Sequence, residues 1–141
     1  MKLSLVTSKT TQNITTDVVF EYDENGQAKT GFKIVGPDSQ QYRAEQERQR
    51  IANRKRGSVK KVDLKTDEGQ ALIDRVTQEN LTATAVAVVV DWFGFEDDAG
   101  QPVAFNAEHV AAIYEAKPSW RDKVVVALDQ EDAFLPKPVT A

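Results

Sequence analysis

The chain has 141 residues, which is enough for one domain with its own apolar core, and it contains no cysteine. A disulfide framework, a thiolate metal site and a cysteine nucleophile are therefore excluded. The formal net charge of −4 and a pI near 5.1 argue against non-specific binding of nucleic acid by the chain as a whole.

The charges are unevenly distributed along the chain. Positive residues are concentrated between Arg43 and Lys61, and negative residues between Asp91 and Asp98. A chain with this bipolar pattern can stack on copies of itself or on a charged partner, through an attraction that weakens in salt.

The first sixteen residues are polar and rich in threonine, which predicts a mobile or weakly ordered arm over 1–16. The apolar residues that follow Lys2 give way at once to polar ones, so no signal peptide is expected. The longest apolar run, Ala85 to Val90, is far below the roughly 18 residues that a bilayer requires, so we expect no membrane span.

Residues 17–35 predict a β-hairpin, because two runs of β-branched and aromatic residues flank the turn sequence Asn25-Gly26. Phe32 and Ile34 alternate with polar residues and share one face. That face needs a helical cover, since two strands alone are marginally stable.

A basic helix is predicted over 38–56, where Asp38 and Gln41 form a variant of the capping box. Its few apolar groups indicate a solvent-facing helix, followed by a charged linker over 57–66. Four of its arginines are candidate partner-binding residues: Arg43, Arg50, Arg54 and Arg56.

This basic stretch could present arginines to phosphates, or it could be a solvated helix or dock on an acidic protein. Glu45 and Glu47 interrupt the positive run, and no aromatic residues are interleaved for base stacking. Protein contact or solvation is therefore favoured, and nucleic acid is an unlikely partner.

A third helix is predicted from Thr66, its N-cap, because apolar residues recur at helical spacing from Leu72 to Phe93. The alternative is a strand over residues 83–90, where four valines favour β geometry.

Two further helices are predicted after the turn that ends at Pro102. Asn106 as N-cap, with Phe105 and Val110 placed as a hydrophobic staple, predicts a helix to residue 116. A second capping box at Ser119 predicts another over 119–134, and 136–141 is a predicted flexible tail. The whole is an α+β fold: an N-terminal β-hairpin followed by a predominantly helical C-terminal half, in a single domain over 17–135 with its helical core over 67–135.

No catalytic, cofactor-binding or metal-binding residue is predicted, and we expect no enzyme activity. His109 could be a ligand or a base, but there is no second histidine or cysteine to join it. The acidic residues around Asp97 lack the spacing of an EF-hand loop. The strings typical of phosphate loops and nucleophile elbows do not occur.

An aromatic cluster, Trp92-Phe93-Gly94-Phe95, stands beside the acidic residues. It can belong to the core or to a docking edge, because large aromatic residues are favoured in both places. Trp92, Phe93 and Phe95 are therefore candidate partner-binding residues.

The order of these parts resembles the small tail assembly chaperones of long-tailed bacteriophages and prophages. The similar features are Trp-aromatic-Gly, an Asp-x-Gly-x-Pro turn, Phe-Asn-x-Glu and a helix ending before Pro-x-Trp, together with Gly31–Ser39 before the basic stretch. The resemblance covers roughly residues 17–135 and favours helix over strand at 83–90.

This resemblance implies a protein that binds the tape measure protein, and possibly tail tube subunits, during virion morphogenesis. It also implies a homo-oligomer without a cofactor, in the cytoplasm of the infected or lysogenic bacterial host. The alternatives are a minor tail or head-tail joining protein retained in the virion, and a small nucleic-acid-binding regulator that uses the basic helix.

Overall fold

The computed structural model describes residues 2–7, 12–59 and 63–135. In chain order the elements are α1 (Leu3–Thr7), β1 (Thr15–Tyr22), β2 (Ala28–Val35), α2 (Gln40–Val59), α3 (Asp67–Ala87), β3 (Val89–Phe93), α4 (Ala107–Ala116), α5 (Pro118–Leu128) and a closing 3-10 helix (Glu131–Phe134). The predicted α+β class, with its N-terminal hairpin and its predominantly helical C-terminal half, is confirmed.

The predicted hairpin forms β1 and β2, joined by a turn at Asn25-Gly26. Gly26 takes a positive φ of 77°, and the carboxylate of Asp23 accepts the backbone N–H groups of Asn25 and Gln27 at 2.8 and 2.9 Å. A carboxylate that satisfies two amides in this way fixes the reversal of the chain.

The predicted continuation of the third helix as far as Phe93 is wrong. The helix α3 ends at Ala87, and the next residues form β3, which pairs antiparallel with β2 so that Phe32 stands opposite Trp92. The strand alternative for 83–90 is also only partly right, because its first five residues are helical. Helical periodicity cannot reveal this strand, since the unpaired edge of β2 that stabilises it is distant in sequence.

The core lies between one face of the sheet and the helices α3, α4 and α5. The largest fully buried apolar side chains come from β2, α4, α5 and the α3–β3 junction: Phe32, Ile34, Val88, Val110 and Val124. Tyr114 is also buried, and its hydroxyl donates to the carbonyl of Ala85 at 2.8 Å. Burial raises the pKa of the Tyr114 phenol because the charged form would lose its solvation.

Two predicted N-caps are confirmed. The hydroxyl of Thr66 accepts the backbone N–H of Gly69 at 3.0 Å at the start of α3. The side chain of Asn106 accepts the N–H of Glu108 at 2.8 Å at the start of α4. These caps satisfy helix donors that would otherwise lack partners.

The predicted cap of the basic helix is wrong, because Ser39 fills the place assigned to Asp38. The Ser39 hydroxyl is buried, donates to the carbonyl of Gly36 at 2.6 Å and accepts the N–H of Tyr42 at 3.2 Å. The basic helix predicted over 38–56 therefore begins two residues later.

The same helix also ends later than predicted. It extends to Val59 and takes up the first residues of the predicted linker 57–66. Residues 60–62 of that linker lie outside the described residues, and the remainder is a turn that leads to Thr66.

The last predicted helix, 119–134, is wrong at both ends. The helix α5 begins at Pro118, whose ring already holds the φ that a first helical residue needs, so Ser119 lies inside the helix and does not cap it. It ends at Leu128, and the closing 3-10 helix is separate.

The predicted N-terminal arm, 1–16, contains α1 and the first two residues of β1. Residues 1 and 8–11 of this arm and the whole predicted tail, 136–141, lie outside the described residues. No helix in the described part of the chain is both long and apolar enough to span a bilayer.

Two glycine substitutions test the pairing of β3 with β2. Gly94 and Gly100 both have positive φ, 81° and 79°, but a Cβ on Gly94 would meet the backbone of Lys29, whereas a Cβ on Gly100 would meet nothing within 4 Å. We expect Gly94→Ala to lower the free energy of unfolding by about 3 kcal/mol and Gly100→Ala by about 1 kcal/mol. Urea denaturation of both variants measures the difference, and equal losses would contradict the observed approach of β3 to β2.

Candidate protein-docking site

An open groove of about 400 Å³ lies between the end of β3 and one face of α4. We call it the Trp92 groove. Its lining is mostly apolar and consists of Trp92, Phe95, Glu96, Val103, His109, Ala112, Ile113 and Ala116.

Trp92 forms the floor of this groove and is also part of the core. Its side chain is only 8% exposed, its indole N–H donates to the carbonyl of Val103 at 2.8 Å, and its ring lies 6.5 Å from that of Phe32. An indole held by packing and by a hydrogen bond is a rigid surface that a partner meets without first ordering it.

Phe95 forms a wall of the groove, whereas Phe93 does not line it. The Phe95 ring centroid lies 4.7 Å from that of Trp92. Phe93 points to the opposite face of the sheet, where it covers Gly31 and has the ammonium of Lys33 5.7 Å from its ring. The predicted aromatic cluster is thus divided between two faces by its alternation along the strand.

His109 closes the groove beside Trp92, a role that the sequence analysis missed. The two rings are parallel within 3°, with centroids 6.1 Å apart. The signal was present in the sequence, because His109, Ala112, Ile113 and Ala116 follow the spacing of one helical face once Asn106 fixes the start of α4.

The rim of the groove is acidic. Glu96 belongs to the lining, and Glu108 and Glu115 lie one turn before and one turn after Ala112 on α4. Within the described part of the chain none of these three carboxylates takes part in a salt bridge, so their charge is open to a partner.

Asp97 has a different role, because its carboxylate shapes the turn. It accepts the backbone N–H groups of Ala99 and Gln101, each at 2.9 Å. The adjoining bridge between Glu96 and Pro102 holds the two arms of this turn together.

The four candidate arginines lie on α2, and none of them lines the Trp92 groove. The guanidinium of Arg43 is 4.0 Å from the carboxylate of Asp38, Arg50 pairs with Glu47 one turn earlier, and Arg56 donates to the side chain of Asn53 at 2.9 Å.

Arg54 completes this set as an exposed residue one turn after Arg50. Arg43, Arg50 and Arg54 are spaced for a single outward helical stripe. The aromatic and basic candidates therefore form two separate surfaces.

The inner side of α2 meets α3 through amides rather than apolar side chains. The Gln49 amide donates to the carbonyl of Asn80 at 3.1 Å and to the hydroxyl of Thr84 at 2.9 Å, and the Gln46 amide reaches the same hydroxyl at 3.1 Å. Next to this seam, hydrogen bonds from Arg48 hold the pKa of the Glu45 carboxyl below its usual value. A polar seam explains why α2 shows no broad apolar stripe.

The Trp92 groove is suited to binding an apolar side chain that has cations on either side of it. An apolar side chain that enters the groove is removed from water, which is favourable, and the acidic rim attracts the positive charges beside it. Among the described residues, no group of three or more histidine, aspartate or glutamate side chains is placed to hold a metal ion.

Comparisons of this chain with protein-family models, with curated proteins and with solved structures find no significant match.

Substitutions in the groove should distinguish a residue that the fold needs, Trp92, from one that is exposed and that the fold does not need, Ala112. We expect Trp92→Ala to lower the free energy of unfolding by about 3 to 5 kcal/mol, because it empties part of the core. Ala112→Arg, at an exposed position, should change it by less than about 0.5 kcal/mol. Urea denaturation checks both values, and a small loss for Trp92→Ala would show that the indole is dispensable for the fold.

Proposed function

We propose that this protein is a tail assembly chaperone of a long-tailed bacteriophage or prophage, and that it binds the tape measure protein during tail morphogenesis. The observation that carries the proposal is the coincidence of two features. The resemblance to those chaperones covers roughly residues 17–135, and the part of it from Trp92 through α4 also builds the acid-rimmed Trp92 groove.

The groove supports this proposal because its size and chemistry suit reversible binding. A site of about 400 Å³ receives one or two apolar side chains, which gives a weak contact that can be released. Several copies acting together along a long client would cover many such side chains and keep the client from aggregating. Recruitment of tail tube subunits, and work in the bacterial cytoplasm without a cofactor, belong to the same proposal.

Co-expression with the tape measure protein encoded downstream tests the proposal. We expect this chain to raise the soluble fraction of the tape measure protein and to be recovered with it in a pull-down. Ala112→Arg should remove most of this effect, because it places a long cationic side chain on the lining, where it obstructs the groove and opposes the positive charge that the acidic rim attracts. Ala111→Arg is the matched control, since it places the same side chain on the same helix outside the groove.

Each outcome has a definite meaning. A tape measure protein that stays insoluble and unbound beside the wild-type chain would favour a structural tail component, which would then be found in purified particles. Equal activity of Ala112→Arg and wild type would place the client elsewhere on the molecule.

A nucleic-acid-binding regulator predicts a different result in a filter-retention assay with duplex DNA. In that case retention would fall steeply with salt and would be lost in Arg50→Glu/Arg54→Glu. Under the chaperone proposal we expect no salt-dependent retention for either protein.

A further inference from the structure

We propose that the Trp92 groove of one copy of this chain binds helix α2 of a second copy, with Ile51 as the apolar anchor. This interface shares the Trp92 groove with the proposed function, but it is tested on the isolated chain without a client, so the two proposals can fail separately. It assigns one defined occupant to the groove and one defined role to the basic helix.

Ile51 is the first observation. It is 42% exposed in the middle of α2, a helix whose other large side chains are almost all polar or charged. Its inner neighbours on the helix bond to α3, so the seam between the two helices does not cover it. An exposed isoleucine alone would need no explanation, but its surroundings are unusual.

The charges around Ile51 form the second observation. Glu47 and Arg48 lie one turn before it, and Arg54 and Lys55 lie one turn after it. Over its whole length α2 carries six cations and two carboxylates, a net charge of +4 in a chain whose total is −4. Ile51 is thus an apolar side chain in a field of positive charge.

The Trp92 groove has the complementary pattern. Its lining is mostly apolar and includes Glu96 and Ala112, and Glu108 and Glu115 lie one turn before and one turn after Ala112, along the edge of the lining face of α4. Ile51 can enter this apolar lining while Arg54, which follows it by one turn, faces the acidic rim. Specific protein interfaces usually have this composition: an apolar anchor that is buried at the middle of the contact, and a polar rim where charges of opposite sign face each other.

The two surfaces do not meet within one chain, since no residue of α2 lines the groove. Contact between copies therefore joins two different surfaces. Two copies that exchange groove and helix reciprocally form a closed dimer, whereas a heterologous contact gives each chain one neighbour at its groove and another at its helix. Such an interface produces a ring if the rotation closes and an open chain of subunits if it does not.

Sedimentation velocity on the purified full chain measures this interface. We expect a mass above the 15.7 kDa monomer that grows with protein concentration and falls in 0.5 M salt, because the rim charges are screened. Ile51→Glu should weaken self-association roughly tenfold or more. Ile73→Glu is the matched control, because Ile73 is 37% exposed on α3 and outside the proposed interface.

Mixing two variants tests whether the groove of one copy contacts helix α2 of another. Ala112→Arg loses the groove but keeps α2, whereas Ile51→Glu loses the anchor but keeps the groove. At a concentration at which the wild type associates and each variant alone is monomeric, an equimolar mixture should form a dimer that cannot grow further. Recovery in the mixture also shows that both variants are folded.

Three results would overturn the proposal. The first is a wild-type chain that stays monomeric at every concentration. The second is self-association that persists in both Ile51→Glu and Ala112→Arg. The third is an equimolar mixture of the two variants that remains monomeric. Loss of association in Ile73→Glu or Ala111→Arg alone would assign the contact to a different surface.

Discussion

The pairing of β3 with the free edge of β2 is the interaction on which the rest of the structure depends. It ends α3, because Val88 donates its N–H to the helix at Thr84 while its carbonyl accepts the N–H of Val35 at 2.9 Å and so starts the sheet contact. It also fixes Trp92 opposite Phe32 in the core. Without this strand the hairpin would be a two-stranded ribbon with an exposed apolar face, and the indole would have no fixed position.

The same pairing decides which side chains can serve binding. Alternation along β3 sends Trp92 inward and Phe93 outward, and the positive φ of Gly94 then turns the chain so that Phe95 returns to the side of Trp92. The groove is consequently made of residues that are already packed, and only its α4 wall, around Ala112, is open to substitution without damage to the core. A binding surface of this kind is preorganised, since a partner has little to order on arrival.

Local signals in the sequence predict most of the elements, and long-range contacts account for the errors. Asn25-Gly26 and Asn106 act within a few residues of themselves, so the hairpin and the start of α4 follow directly from the sequence. The strand β3 cannot be predicted in this way, because valines at helical spacing satisfy the helical pattern until the edge of β2 competes for them. Predicting the groove would have required knowing both where α3 ends and which face of α4 is exposed. For this reason only some of its residues were predicted, and His109 was not among them.

The two proposed occupants of the Trp92 groove are linked by mass action. If α2 of a neighbouring copy and a client segment use the same floor, each reduces the free concentration of grooves available to the other. An aromatic groove left open would favour non-specific association, and a neighbour that covers it through a salt-sensitive contact protects it at little cost in reversibility. A client with a better apolar anchor then displaces one helix at a time, and each displacement frees a basic stripe with Arg50 and Arg54 for an acidic surface. Self-association and client binding would in this way be alternative uses of the same site, with their balance set by protein concentration and salt.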